Sequence, residues 1–178
     1  MELLRKHLKD NKTIIIDNFI DTDSFLKTKK DVLKKLNSKN APDNMWYPLD
    51  GYHDHHNLCI QLIECAKKYY DLTKCSGYEF WTQNNTVPQG WHYDIDEQCK
   101  VHTGKIKYPL CSIVYYVNIQ NLEGGKLHLE DTIITPKENR IVIFPPITEH
   151  FVENFSGERT SFLVNPWSTP LYKDTDGL

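Results

Sequence analysis

The chain has 178 residues, of which 39% are hydrophobic and 25% charged. This composition suits a soluble globular protein with a sizeable core. The net charge of −3 supplies no global basic field for nucleic acid, and no apolar run reaches bilayer-spanning length. Five cysteines, none in a C-x-x-C pair, argue against a disulfide framework, a zinc ribbon or a redox motif. The opening MELLRKHLKDNK lacks the apolar stretch of a secretory signal, so the expected setting is cytoplasmic and reducing.

TIIIDNFI (13–20) is a β-branched apolar run and predicts a strand. DTDSFLKTKKDVLKKLNSKN follows with Asp21 or Asp23 as a cap and Phe25, Val32, Leu33 and Leu36 at helical spacing. Its lysines fit a solvated helix face. APDNMWYPLDGYHDHH (41–56) is rich in turn formers and predicts a loop. NLCIQLIECAKKYYDLT (57–73) again has helical spacing, with Asp54 available to cap it. After residue 76 short strand-like runs are cut by turn signals: GYEFWTQNN, GWHYDID, YPLCSIVYYVN, GGKLHLED, TIIT, RIVIFPP, EHFVENF and RTSFLVNPW. Helices first and strands after predict an α+β, mainly β protein, with helices packed on one sheet of a sandwich or barrel. The chain divides into a helical support region (1–75), a β core (76–167) and a tail (168–178), within one domain spanning 1–178.

Histidines offer the first chemistry. In WHYDIDE (91–97), a strand would point His92 and Asp94 to one face and Trp91 and Tyr93 to the other. Such a pair is a metal grip or a surface ion pair. HDHH (53–56) is taken as a polar turn, with metal binding as the alternative. His128 should face outward between Leu127 and Leu129, while His7 and His102 lie in charged, solvated stretches. His150 opens a strand after the Pro-Pro turn of RIVIFPPITEHFVENF. In GERTSFLVNPW, Arg159, Ser161 and Leu163 share one face of a strand that is apolar on both sides, which places an arginine at the edge of an interior. A buried arginine needs a negative partner, whether a structural acid or a ligand.

The order His92-x-Asp94, His150, Arg159 on a β-rich scaffold resembles the Fe(II)/2-oxoglutarate-dependent dioxygenases, most of all their prolyl-4-hydroxylase-like branch. The resemblance covers roughly residues 76–167. WHYDIDE, PLCSIVYYVN with EGGKLHLE, ITPKENRIVIFPPITEHFVENF and GERTSFLVNPW carry it. It implies a double-stranded β-helix (jelly-roll) core with N-terminal supporting helices. It also implies an oxygenase that uses Fe(II), 2-oxoglutarate and O2, with ascorbate as a supportive reductant, to hydroxylate an unactivated C–H.

By resemblance His92, Asp94 and His150 are the metal ligands and catalytic centre. A triad of this kind leaves positions open for the cosubstrate and dioxygen. Arg159 would grip the far carboxylate of 2-oxoglutarate, with Ser161 adding a hydroxyl. Tyr116, sharing a strand face with Ser112 and Val114, would reach the same carboxylate or pack in the core. Val114 and Leu127 would wall the pocket.

The family's tyrosine before the metal motif has no clear counterpart in EFWTQNN, which offers Trp81 and Thr82. Asp96 is either a partner of the triad or, as preferred, a solvated strand end. EQCKVHTGKIKYP (97–109) is expected to be a substrate lid, with a plain surface loop as the alternative. The expected substrate is a prolyl or other protein side chain, or a small molecule, without nucleic acid or membrane as partner. The main rival is a cupin-like protein that binds metal or a small molecule without oxidative turnover.

Overall fold

The computed structural model describes residues 12–36, 45–84 and 89–173. Expectations for His7, for the first helix beyond Leu36 and for the last five residues lie outside them. In chain order the elements are β1 (Ile14–Ile16), α1 (Thr22–Leu36), β2 (Met45–Pro48), α2 (His56–Ala66), β3 (Gly77–Gln83), β4 (Gln89–His92), α3 (Glu97–Thr103), β5 (Ser112–Gly124), β6 (Leu127–Leu129), β7 (Ile133–Ile134), β8 (Ile141–Phe144), β9 (His150–Val152) and β10 (Phe155–Trp167).

Two antiparallel sheets result. The larger runs β1-β8-β5-β10-β3-β2 and the smaller β4-β9-β6-β7. The larger sheet has two apolar faces because its central strands are apolar at both parities, as buried strands must be. One parity of β5, β8 and β10 (Ile113, Tyr115 and Val117; Ile141 and Ile143; Phe162 and Val164) packs with Leu58, Leu62 and Ile63 of α2 and with Phe25 and Val32 of α1. The other parity (Val114, Tyr116, Val142, Phe144) meets Leu127, Leu129, Ile134 and Val152 of the smaller sheet. This is the helix-backed double-stranded β-helix expected from the sequence. Burying each large side chain contributes about 1.5–3 kcal/mol, which is what holds the layers together.

Local chemistry sets the joints. Asp21 Oδ1 accepts a hydrogen bond from Ser24 N at 3.0 Å and starts α1. Asn139, at φ 58°, accepts from Ile20 N and from the Tyr115 hydroxyl and donates to Ile20 O, which pins the segment after β1 to the larger sheet. Gly124 turns β5 toward β6 at φ +79°, where a Cβ would lie 2.2 Å from Asn154 O. That position admits only glycine without a backbone shift.

Several expectations need correction. The run 13–20 is a strand only at Ile14–Ile16, because Asn18 turns the chain at φ 51°. The stretch 41–56 is not all loop: Met45–Pro48 pairs with β3, Trp46 opposite Glu79 and Tyr47 opposite Tyr78. The second helix starts after His55, not Asp54, without a side-chain cap, and its regular part ends at Ala66. HDHH turns at Asp54 and His55, as expected, but its imidazole rings are packed. His53 Nε2 and His56 Nδ1 both lie 2.7 Å from the Tyr78 hydroxyl, His53 stacks on Phe80 and His55 meets the edge of Phe162. The run 97–109 contains the helix α3. All five cysteines are free thiols, and no described helix is long and apolar enough to cross a membrane.

Candidate active site

The strand β4 ends at His92, in register with His150 of β9, which itself faces Leu129 of β6. Asp94 therefore lies in the loop after β4, not on the strand as the i, i+2 rule supposed. The loop still returns its carboxylate to the histidines. One ligand atom from each of His92, Asp94 and His150 lies within 4.8 Å of the other two. Trp91 points away, as expected, and packs on Phe151, whereas Tyr93 lines the cavity.

The groups around this triad prepare its donor atoms. His92 Nδ1 lies 2.7 Å from Gly90 O, and His150 Nδ1 lies 3.0 Å from Thr148 O. A proton on each Nδ1 satisfies those carbonyls and leaves each Nε2 lone pair for a metal. Burial pushes the His150 imidazole pKa down against the pull of Asp94, which favours the neutral, ligating form. Ser112 Oγ donates to Asp94 Oδ2 at 2.5 Å, so Oδ1, 3.7 Å from His150 Nε2, remains for coordination. Two imidazoles and one carboxylate on one wall fit a divalent iron with open positions.

A cavity of about 680 Å³ opens from the triad into the space between the sheets. At its inner end lies Arg159, 2% exposed and with no acidic partner among the described residues. Its Nη1 donates to Gln83 Oε1 at 3.3 Å, and its guanidinium carbon lies 5.4 Å from the Tyr116 ring centre. Arg159 Nε, Tyr116 Oη and Ser161 Oγ are all buried without a hydrogen-bond partner. Buried polar groups left this way cost about 1–3 kcal/mol each, so their convergence points to a missing acceptor. Burial pushes the Tyr116 hydroxyl pKa up, partly countered by Arg159, which keeps it a neutral donor. These are the atoms a carboxylate would bond. Val114 and Leu127 line the cavity between the two ends.

Register explains the gathering. Ser161 pairs with Tyr116 on one side and with Gln83 on the other, so the three project to one face beside Arg159. Gln83 was missed in the sequence, where Trp81 and Thr82 were considered for this place. The parity of β3 puts Glu79, Trp81 and Gln83 on the cavity wall. Asp96 is neither a partner of the triad nor a solvated strand end. It is 3% exposed, caps α3 by accepting from Cys99 N, and accepts from Tyr172 N with its other oxygen. That bond seats Leu171 and Tyr172, expected to belong to a tail, at the cavity. His128 faces outward as expected, paired with Glu153 at 2.6 Å.

No protein-family model matches the sequence, and no curated protein does. Solved structures do match. A prolyl-4-hydroxylase of Pseudomonas putida aligns with TM-score 0.62 and 14% identity over 93% of this chain and 92% of its own. A prolyl hydroxylase of Trichoplax adhaerens, in complex with a hypoxia inducible factor oxygen degradation domain peptide fragment, aligns with TM-score 0.60 and 16% identity over 94% and 88%. The viral collagen prolyl hydroxylase of Paramecium bursaria Chlorella virus 1, as a 2OG complex, aligns with TM-score 0.58 and 15% identity over 89% and 96%. At these identities the likeness is one of fold: the chain has the jelly-roll architecture of the prolyl 4-hydroxylases and 2OG-Fe(II) oxygenases.

Proposed function

We propose that the protein is an Fe(II)/2-oxoglutarate-dependent oxygenase that hydroxylates an unactivated C–H bond. One observation carries the proposal. A two-histidine, one-carboxylate triad and a buried arginine with unsatisfied donors beside it share one cavity, inside a fold shared with such oxygenases. The triad alone would suit a cupin-like binding protein. Such a protein has no use for Arg159, Tyr116 and Ser161 converging without a partner.

His92, Asp94 and His150 would hold the iron, and Arg159, Ser161 and Tyr116 the far carboxylate of 2-oxoglutarate. The bound iron and cosubstrate would supply oxidative decarboxylation of 2-oxoglutarate to succinate and carbon dioxide, coupled to hydroxylation by O2. The chain's own work is orientation and exclusion of water. Arg159 offers a planar fork of donors in a dry site, where such bonds are strongest. Ser112 fixes the Asp94 rotamer, and the Gly90 and Thr148 carbonyls fix the two imidazoles. Val114, Leu127 and Leu163 line the cavity with apolar surface.

A protein or peptide side chain is the favoured substrate class, since the Trichoplax relative of this fold was solved with a peptide. Turnover tests the proposal. Iron-loaded protein under air should convert 2-oxoglutarate to succinate and add one oxygen to members of a proline-containing peptide panel, both read by mass spectrometry. Neither product from folded, iron-loaded protein would contradict it.

A further inference from the structure

The cavity has a second end that the cosubstrate chemistry leaves unused. On β3, Glu79 lies four residues before Gln83, roughly 13 Å along the strand at ~3.3 Å per residue. Gln83 belongs to the Arg159 end, so Glu79 belongs to the opposite one. Trp46 faces Glu79 directly across the β2–β3 pair, and Trp81 follows it on the same side of β3. Asn165 of β10 flanks it on the other strand. Gly77 makes the Trp46 placement possible, because a Cβ there would lie 2.3 Å from the indole.

We propose that Glu79, between Trp46 and Trp81, forms a recognition box for a cationic side chain, so that the prime substrate carries an ammonium or guanidinium group. The inference rests on the oxygenase function proposed above and names its substrate class. Charge is the first argument. An iron, 2-oxoglutarate, Asp94 and Arg159 would balance one another. Asp96 is already bonded through both oxygens to backbone N–H groups. Of the other charged side chains lining the cavity, Glu79 and Glu97 then stand against one cation, Lys173.

The second argument is the setting of Glu79 itself. Among the described residues no lysine or arginine pairs with it. Burial, with Asp94 adding repulsion, pushes its carboxyl up to about 7, and the neighbouring Trp167 indole only partly offsets this. Even a half-buried carboxylate without a counter-ion is costly, and a substrate cation would remove that cost. The third argument is aromatic. Tryptophan is the strongest partner for a cation over its face, and two of them flank this carboxylate. Trp46 Nε1 is also buried without an acceptor, which a substrate peptide carbonyl can supply.

The test uses anaerobic protein loaded with Fe(II) and 2-oxoglutarate, whose charge-transfer absorption reports the iron site. Peptides Gly-Gly-Xaa-Gly-Gly with Xaa as lysine, arginine, norleucine or glutamate are titrated in the same cuvette, with binding read from tryptophan fluorescence. The lysine or arginine peptide should bind about tenfold or more tightly than the norleucine peptide, the ratio expected for a desolvated cation–π and charge contact. Glu79→Gln should erase that preference. Trp81→Leu, which removes one flanking ring and leaves the carboxyl in place, should shrink it and serves if the first variant fails to fold. Equal affinities, no binding of the cationic peptides, or a preference that survives Glu79→Gln would overturn the inference. A missing absorption band with the cationic preference intact would instead overturn the oxygenase function and leave the box standing.

Discussion

The larger sheet presents two buried faces built from alternate residues of the same strands, and they are finished to different standards. On the helix-backed face every buried tyrosine hydroxyl of the sheet has a partner: Tyr78 meets His53 and His56, and Tyr115 meets Asn139. On the cavity face Tyr116, Ser161 and Arg159 carry buried polar atoms with none, as do Trp46 and Trp167. All five such residues among those described share the cavity-facing parity. Orphaned atoms beside a cavity are the ones a bound acceptor would satisfy.

The sharpest way to break the comparison is to cut into each face in turn. Phe162, fully buried against Phe80 and His55, belongs to the satisfied face. Phe162→Ala should cost about 3–5 kcal/mol of stability in denaturant melts. Arg159→Leu cuts into the other face. It should weaken 2-oxoglutarate binding by about 2–5 kcal/mol in calorimetry while leaving stability without ligand unchanged or higher, because it removes an unpaired buried charge. Equal stability losses from the two variants would erase the distinction.

Acids sharpen it further. Glu79 holds its proton to about pH 7 in the folded chain, whereas an unfolded glutamate releases it near pH ~4.3. The folded state binds more protons between those values, so stability falls as pH rises through that window and then levels. Glu79→Gln should remove this slope and, without ligands, raise stability at pH 8 by about 1–2 kcal/mol. Asp17 behaves oppositely. Bonds from Arg140 and Lys137 hold its carboxyl well below the usual carboxylate range, so its contribution is present above that range and lost as pH falls through acid. The group is more than a third exposed, so Asp17→Asn should cost only about 0.5 kcal/mol at neutral pH, as a thermal melt would show.

What the sequence made legible followed from periodicity and from residue type. Alternation puts Val114 with Tyr116 on one face of β5 and Arg159 with Ser161 on one face of β10; that the two faces meet was implied by the family resemblance alone. Asp94 was found for a reason only half right, since the strand stops at His92 and a loop completes the approach. Gln83 and Glu79 were open to the same parity argument, but an amide and a carboxyl in a strand announce nothing without their neighbours across it. Trp46 lay in a stretch whose Pro, Gly and Asp content masked a four-residue strand. HDHH announced its turn but not its packing, because the Tyr78 hydroxyl that meets two of its rings is more than twenty residues away.

One measurement tests the central claim most directly, that the unfinished face is an iron and 2-oxoglutarate site. Fe(II) and 2-oxoglutarate are added anaerobically to the purified chain and the visible charge-transfer band is recorded. Parallel samples carry His92→Ala, His150→Ala and Arg159→Ala. The account predicts a band in the wild type, its loss in both histidine variants and a weakened cosubstrate titration in the arginine variant. A folded protein that binds iron yet shows no band would contradict it and make the cupin-like binding protein the better description.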